Sequence, residues 1–101
     1  MSEANWSLYL LRNERGALYT GVTTDINRRL REHRGELRGA ARFTRACKEL
    51  ELVYTCEIGS RGLALRVESR IKKLSKAAKE ELLAMQLECG PLLERLELPS
   101  S

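Results

Sequence analysis

Histidine and cysteine, the side chains that most often bind structural metals, are scarce in this chain. There is one histidine, His33, and the three cysteines, Cys47, Cys56 and Cys89, form no CxxC pair. A structural zinc site needs four closely spaced nitrogen or sulfur ligands, so this kind of site is not expected. The odd number of cysteines, without an evident signal peptide, predicts reduced thiols that pack as small core residues.

Long hydrophobic runs are also missing. No apolar stretch approaches the roughly 20 residues that a membrane-spanning helix needs, so we expect a soluble, cytoplasmic protein without a membrane partner. Instead, 43% of the residues are hydrophobic and 32% are charged, which is typical of a globular domain. For 101 residues we predict one domain over residues 1–101, with a core over residues 6–75 and C-terminal helices over residues 75–97.

Carboxylates are sparse in one part of the chain. Lysine and arginine outnumber aspartate and glutamate by 18 to 14, which gives a net charge of +4. The stretch from residue 28 to residue 48 is rich in arginine, and its carboxylates are Glu32 and Glu36. Acidic residues collect later, from Glu80 to Glu97. The charge distribution therefore predicts that the first half of the chain forms a surface for binding a polyanion and that the second half does not.

Two short segments near the amino terminus have the pattern of a β-hairpin. Residues 6–11 and 17–22 combine aromatic and apolar residues, and the turn-forming residues 12–16 separate them. Gly16 can adopt the positive φ that such a turn requires. With a third strand over residues 51–58, the pattern predicts an α+β fold: a small three-stranded, mainly antiparallel sheet flanked by helices.

The position of the turn predicts the register of the hairpin. If the turn centres on Glu14, Leu11 lies opposite Ala17 and Tyr9 lies opposite Tyr19. Both tyrosines then share one face of the hairpin, because side chains alternate between the faces of a strand.

A basic helix is expected to follow the hairpin. Residues 23–25, Thr-Thr-Asp, predict a threonine cap followed by an acid in the first turn. The helix runs to about His33, with Ile26 and Leu30 as its apolar stripe. At 3.6 residues per turn, Arg29 and His33 lie on that same inward side. A charged arginine and a histidine on an inward stripe require an explanation.

Two serines, Ser60 and Ser75, are predicted to cap two further helices. The first of these helices carries Glu68 at the edge of its apolar stripe. The second is expected to bury Met85 and to end at residues 90–91, Gly-Pro, where the proline opens a short terminal helix.

Short motifs follow one another along these elements in a fixed order. Residues 7–9 read Ser-Leu-Tyr, residues 19–21 read Tyr-Thr-Gly, and Arg29 is followed four residues later by His33. Residues 64–68 then read Ala-Leu-Arg-Val-Glu. This series resembles the GIY-YIG nuclease domain, and within it the small single-domain bacterial proteins related to the catalytic domain of structure-specific endonucleases.

The resemblance implies a role for each of five side chains. Tyr9 would take the proton of the attacking water, and Tyr19 would position it or share the role. Because a free tyrosine titrates near pH ~10, Tyr9 needs a positive charge beside it, which Arg29 would supply while it contacts the phosphate. His33 would hold a phosphate oxygen or orient a tyrosine, and Glu68 would hold one Mg²⁺.

The implied activity is that of an endonuclease that cleaves DNA with Mg²⁺ or another divalent cation such as Mn²⁺. Its substrate would be branched or single-stranded DNA in repair or recombination, and the protein would be a monomer or a weak homodimer. The basic loop over residues 42–45, Arg-Phe-Thr-Arg, is also similar to a loop of that subgroup. The residues expected to contact nucleic acid are Arg28, Arg31, Arg42, Thr44 and Arg45.

Each of the five side chains also has an ordinary structural interpretation. Tyr9 and Tyr19 match a common cross-strand pair, and Arg29 can pair with Asp25 one turn back. A helix dipole alone favours His33 near a C-terminus, and Glu68 has Lys72 four residues further on. Family members add a late asparagine near the site, whereas all asparagines of this chain precede the end of the first helix. The alternative function is therefore a catalytically weak or inactive nucleic-acid-binding or adaptor module on the same scaffold.

Overall fold

The computed structural model describes residues 5–33 and 50–98, which form three strands and four helices. The sheet has the strand order β2-β1-β3 and is antiparallel throughout, so the predicted α+β fold is confirmed. The elements are β1 (Trp6–Asn13), β2 (Leu18–Thr23), α1 (Ile26–His33), β3 (Leu50–Gly59), α2 (Arg61–Lys72), α3 (Lys76–Met85) and α4 (Cys89–Arg95).

The hairpin turn lies one position away from its predicted centre. The Asn13 amide donates to the Ala17 carbonyl at 3.0 Å, and the Asn13 side-chain oxygen accepts from the amides of Arg15 and Ala17 at 2.9 Å each. Gly16 closes the loop at a φ of +83°, the left-handed conformation expected of it. These contacts make a three-residue loop centred on Arg15 instead of Glu14.

The shifted turn changes the strand register. Tyr9 lies opposite Gly21 and Leu11 lies opposite Tyr19, so the predicted pairs Tyr9–Tyr19 and Leu11–Ala17 are wrong. The partner of each residue has moved by two positions, however, and a shift of two keeps every side chain on its face. Tyr9 and Tyr19 are therefore diagonal neighbours on one face, with ring centroids 6.2 Å apart.

The sheet separates two sides of the molecule. On one side, Leu8 and Leu10 of β1 join a hydrophobic core built with the three later helices. On the other side, Tyr9 and Leu11 are buried as well. Because β1 is covered on both sides, its sequence is a continuous apolar run and not an alternating one. The core residues of the later helices are Leu63, Val67, Ile71, Leu82, Leu83, Leu92, Leu93 and Leu96.

The starts of the helices follow local chemistry. Ser60 Oγ accepts from the Leu63 amide at 3.2 Å and Ser75 Oγ accepts from the Ala78 amide at 3.1 Å, which confirms both predicted caps. At α1 the prediction was wrong, because the cap is Asp25, whose Oδ1 accepts from the amide of Arg28 at 3.1 Å. A carboxylate is as good a cap as a hydroxyl, and here it lies closer to the first turn.

The end of α3 also differs from the prediction. Gln86 ends the helix in the left-handed conformation (φ 48°), and its amide donates to the carbonyl of Leu83 at 3.1 Å. Met85, predicted to be buried, is 43% exposed. Gly90 and Pro91 lie in the first turn of α4, where a proline costs no hydrogen bond.

Two of the cysteines depart from the predicted reduced state. Cys56 of β3 and Cys89 at the start of α4 form a disulfide, with their Cα atoms 5.8 Å apart. The two cysteines lie 33 positions apart in the sequence, and no spacing rule applied to the sequence would have paired them. Cys47 lies outside the described residues. None of the helices within residues 5–33 and 50–98 is long and apolar enough to cross a membrane.

A charged network ties the hairpin to α3. Arg12 donates from both terminal nitrogens to the Glu80 carboxylate, at 2.6 and 2.7 Å. Lys76 donates to the same carboxylate at 3.0 Å and to the carbonyl of Gly16 at 2.8 Å. The hydrogen bonds from Arg12, followed by that from Lys76, lower the pKa of Glu80 to about 2.

This network predicts a dependence of stability on acid. The folded pKa of Glu80, about 2, lies below its ordinary value of 4.5, so its stabilisation is complete above pH 4.5 and is lost as the pH falls towards 2. We expect the difference in melting temperature between the wild type and Glu80→Gln to be largest near neutral pH and to shrink between pH 4.5 and 2. A difference in melting temperature that stays constant over this pH range would contradict the lowered pKa of Glu80.

Candidate active site

Tyr9 is the centre of a cluster on the α1 side of the sheet. Its side chain is 1% exposed, and its hydroxyl lies over Gly21 of β2. A Cβ atom added at Gly21 would lie 2.5 Å from Tyr9 Oη, closer than any side chain tolerates. Gly21 therefore leaves the space through which the hydroxyl reaches α1. The sequence identified Gly21 as a motif position, but only the structure assigns it this task.

The glycine predicts a matched pair of variants. We expect Gly21→Ala to displace the Tyr9 hydroxyl and to lower the free energy of unfolding by about 1–3 kcal/mol, as overpacking does. Gly62→Ala is the control, since a Cβ on this exposed glycine of α2 meets nothing within 4 Å. It should leave stability unchanged or raise it, because alanine favours helices. Chemical denaturation and the imidazole chemical shifts of His33 measure both effects, and a Gly21→Ala protein with wild-type shifts would contradict the steric argument.

Three side chains are joined through the Tyr9 hydroxyl. Arg29 donates from Nε to Tyr9 Oη at 3.1 Å, and Tyr9 Oη lies 2.9 Å from Nε2 of His33. The arginine nitrogen can only donate, so the Tyr9 oxygen accepts from it, and we assign the Tyr9 proton to the contact with His33. His33 Nε2 is then the acceptor, and its proton resides on Nδ1, a tautomer that we assign from this hydrogen-bond pattern.

Burial controls the protonation of both partners. Burial, followed by the charge of Arg29, lowers the pKa of His33 to about 4, so its imidazole is neutral at neutral pH. Burial also raises the pKa of Tyr9 to about 12, and the hydrogen bond from Arg29 only partly offsets it. Arg29 is where the sequence placed it, but its charge does not make Tyr9 a phenolate. The free protein holds a neutral hydroxyl aimed at a neutral acceptor.

Tyr19 completes the cluster from β2. Its ring centroid lies 5.0 Å from that of His33 in an edge-to-face arrangement. Burial lowers the pKa of Arg29, but the hydrogen bonds with Glu32, Tyr9 and Tyr19 outweigh it and leave that pKa above its ordinary value. Arg29 also donates from Nη1 to the Glu32 carboxylate at 2.9 Å. The structure thus brings together Tyr9, Tyr19, Arg29 and His33, as predicted, and adds Glu32.

Glu68 is contributed by α2, whose buried residues pack with Leu8 and Leu10 of β1. It lies on α2, which packs against all three strands, and its side chain is 19% exposed. Its recorded partner among residues 5–33 and 50–98 is Lys72, whose Nζ lies 3.3 Å from Oε2, as the ordinary interpretation predicted. The structure does not join Glu68 to the tyrosine cluster by a hydrogen bond within this part of the chain.

The side chains that could bind a metal here suit a hard cation that few protein atoms hold. Within the described ranges, no group of three or more histidine, cysteine, aspartate or glutamate side chains converges on one point. A single carboxylate such as Glu68 fits Mg²⁺, which keeps most of its waters, and does not fit zinc.

The predicted nucleic-acid contacts divide into two groups. Arg28 and Arg31 are exposed on α1, the helix that carries Arg29 and His33, and Arg28 Nε lies 3.6 Å from Glu32. Arg42, Thr44 and Arg45 lie outside the described residues. Grooves of about 510 and 520 Å³ are lined by β3 with residues 86–89 and by α2 with residues 97–98. Neither is lined by the tyrosine cluster, so side-chain chemistry and not cavity volume identifies the site.

Comparisons with known proteins identify the family of this chain. The model of the GIY-YIG catalytic domain matches residues 5–81. The UPF0213 protein YE0453 of Yersinia enterocolitica is 49% identical over 86 residues, 85% of this chain and 87% of that protein. A UPF0213 protein of Yersinia pestis is likewise 49% identical over 86 residues and is covered to 88% of its length.

A solved structure extends the comparison to the fold. The solution structure of the UPF0213 protein BH0048 from Bacillus halodurans is 34% identical, with a TM-score of 0.55. The match covers 96% of this chain and 99% of that protein. The chain therefore belongs to the GIY-YIG catalytic domain family of nucleases and, within it, to the UPF0213 group of small proteins.

Proposed function

We propose that this protein is an endonuclease that hydrolyses phosphodiester bonds in DNA with the help of Mg²⁺ or Mn²⁺. One observation carries the proposal: the buried hydroxyl of Tyr9 accepts from Arg29 and lies 2.9 Å from Nε2 of a neutral His33. A cross-strand aromatic pair that served only packing would not need an arginine and an imidazole on one oxygen. Such a line of hydrogen bonds is suited to moving a proton.

The proton of the attacking water would pass through Tyr9. As the water oxygen bonds to phosphorus, its proton moves to Tyr9 Oη and the proton of Tyr9 moves to His33 Nε2, 2.9 Å away. The tyrosine ends neutral and the histidine ends as imidazolium, so no phenolate with a pKa of about 12 has to form first. A bound phosphodiester brings negative charge beside the cluster, which raises the pKa of His33 and favours this transfer.

Arg29 would stabilise the charge on the phosphoryl group. Its guanidinium is planar and permanently charged, a shape that matches phosphate oxygens. The hydrogen bonds to Tyr9 and Glu32 orient it before the substrate binds. Preorganised charge of this kind is often the largest single contribution to a rate.

Glu68 would hold the divalent cation. When bound, the cation neutralises phosphoryl charge and assists the leaving oxygen. The ion pair with Lys72 is partly exposed, and pairs of this kind contribute little, so it is not a barrier to cation binding.

The substrate is proposed to be branched or single-stranded DNA in repair or recombination. Arg28 and Arg31 project from α1 beside the cluster and would contact the phosphate backbone. Arg42, Thr44 and Arg45 stay proposed contacts. A single domain over residues 1–101, acting as a monomer or a weak homodimer, is part of the same proposal.

The alternative is a binding or adaptor module with little or no turnover. The ion pair between Glu68 and Lys72 favours it, since that contact alone accounts for the carboxylate. Such a module needs the exposed arginines but not the buried hydrogen bonds of Tyr9.

A cleavage assay separates the two functions. Supercoiled, single-stranded and branched DNA are incubated with the protein in Mg²⁺ or in EDTA. We expect Mg²⁺-dependent products with the wild type and none with Glu68→Ala, while salt-sensitive binding persists in both. Glu94→Ala, which removes an exposed carboxylate of α4, is the control and should cleave normally. Undiminished cleavage by Glu68→Ala would refute the metal role, and binding without any cleavage by the wild type would establish the module.

A further inference from the structure

Glu32 is a carboxylate in a helix dominated by basic residues. It follows Arg28, Arg29 and Arg31 and directly precedes His33. Its side chain is only 17% exposed, which is unusual for a glutamate. A carboxylate covered to this degree must be satisfied by close donors.

The donors come from two arginines of the same helix. Glu32 Oε1 accepts from Arg29 Nη1 at 2.9 Å, and Oε2 lies 3.6 Å from Arg28 Nε. The contacts are unequal in exposure, because the side chain of Arg28 is 71% exposed and that of Arg29 is 24% exposed. The bond to Arg29 is thus the shorter and the better shielded of the two.

Together, Glu32 and Tyr9 fix the plane of the Arg29 guanidinium. Nε donates to Tyr9 at 3.1 Å, and Nη1 donates to Glu32 at 2.9 Å. Because the guanidinium is rigid and planar, bonds from different nitrogens determine its orientation. Arg29 also has a hydrogen bond with Tyr19, and the bond to the Glu32 carboxylate is the charge-assisted and therefore stronger one of the three. A flexible arginine is then held ready before any substrate arrives.

We propose that Glu32 is a positioning residue of the cleavage site, which clamps Arg29 so that Nε points at Tyr9 and the charge faces the phosphate. This inference rests on the proposed function. Glu32 also acts on His33, since its negative charge opposes the lowering of the His33 pKa by burial and by Arg29. The hydrogen bond from Arg29 lowers the pKa of Glu32 itself, so the clamp is charged at neutral pH.

The ordinary alternative is a helix-surface ion pair at i,i+3 spacing, which would affect helix stability alone. The two interpretations differ in what they predict for catalysis. If Glu32 is a clamp, replacing it lowers the turnover rate and not the affinity for DNA, because Arg29 keeps its charge. A surface pair leaves both parameters unchanged.

The kinetic test compares Glu32→Ala and Glu32→Gln with the wild type. We expect kcat to fall on the order of 10- to 100-fold in Glu32→Ala, as for other misplaced catalytic groups, with a smaller change in KM for DNA. Glu32→Gln keeps an acceptor oxygen and should be affected less. Glu81→Ala is the control, because it breaks another glutamate–arginine pair, with Arg95 at 3.4 Å, far from the cluster in sequence.

Two kinetic results would overturn the inference. An unchanged kcat in Glu32→Ala makes Glu32 a surface ion pair. A higher kcat with a lower KM shows that Glu32 merely neutralises Arg29 and repels the phosphate. Melting curves for each variant establish that the compared proteins are folded.

A second measurement does not depend on cleavage. Hydrogen exchange of the Arg29 Nε–H, followed by NMR, should be slow in the wild type and clearly faster in Glu32→Ala, since the bond to Tyr9 loosens. If the wild type cleaves no DNA, the proposed function fails, and this exchange rate still decides whether Glu32 positions Arg29. Equal exchange rates in the two proteins would overturn the inference even in an active nuclease.

Discussion

Tyr9→Phe should remove nearly all DNA cleavage while the protein stays folded. The substitution deletes one oxygen from a ring that is 1% exposed, so the packing of the ring is kept. It also breaks the route from the attacking water to His33, because no group then links the two. Loss of a positioned proton-transfer group typically costs about 10²–10⁴-fold in rate. Single-turnover cleavage of the preferred DNA measures the loss.

Tyr54→Phe is the matched control for this variant. Tyr54 of β3 is another tyrosine with a satisfied hydroxyl, which donates to the carbonyl of Leu87 at 2.6 Å. Removing either hydroxyl leaves its partners with one hydrogen bond fewer and should cost about 1–3 kcal/mol of stability. Only Tyr9→Phe should also lose cleavage. Equal cleavage by the two variants would mean that Tyr9 is a packing residue.

His33→Gln should be similarly inactive, and it should also change how stability depends on pH. Glutamine can accept the hydrogen bond from Tyr9 but cannot take its proton. The proton of the attacking water then has no final acceptor. The expected loss is again about 10²-fold or more. This variant therefore separates holding the hydroxyl from accepting its proton.

The pH effect follows from the lowered pKa of His33. The folded value, about 4, lies below the ordinary value of 6.5, so only the unfolded chain binds the proton between these pH values. The wild type should lose up to about 3 kcal/mol of unfolding free energy as the pH falls from 6.5 to 4, with no effect above 6.5. His33→Gln should lack this component. Denaturant titrations at several pH values measure it, and parallel curves for the two proteins would show that His33 is not buried as a neutral base.

Local chemistry was enough to predict several features of the fold. The caps Ser60 and Ser75 were correct because a serine side chain reaches an amide three residues away without help from the rest of the molecule. The shared face of Tyr9 and Tyr19 was correct although their register was not, since the period of a strand is two. The register itself depended on the side chain of Asn13, which selected a three-residue loop.

Features that depend on distant contacts were missed. The disulfide between Cys56 and Cys89 requires β3 and α4 to meet. The exposure of Met85 depends on where α3 ends, and Gln86 ended it by adopting a left-handed conformation that glutamine rarely shows. Neither is encoded in a pattern of neighbouring residues.

The candidate site also combines features that the local sequence sets with features that only folding sets. The spacing of Arg29 and His33 placed both on one side of α1, because helix periodicity alone sets that relation. The protonation of Tyr9 and His33 was decided only by folding, since burial outweighs the charge of Arg29 at Tyr9 and acts together with it at His33. The space over Gly21 and the clamp at Glu32 likewise arise where β1, β2 and α1 meet, at distances of a few ångströms that no one-dimensional order specifies. The sequence by itself determined which reactive groups are present, and tertiary packing determined their protonation and their orientation.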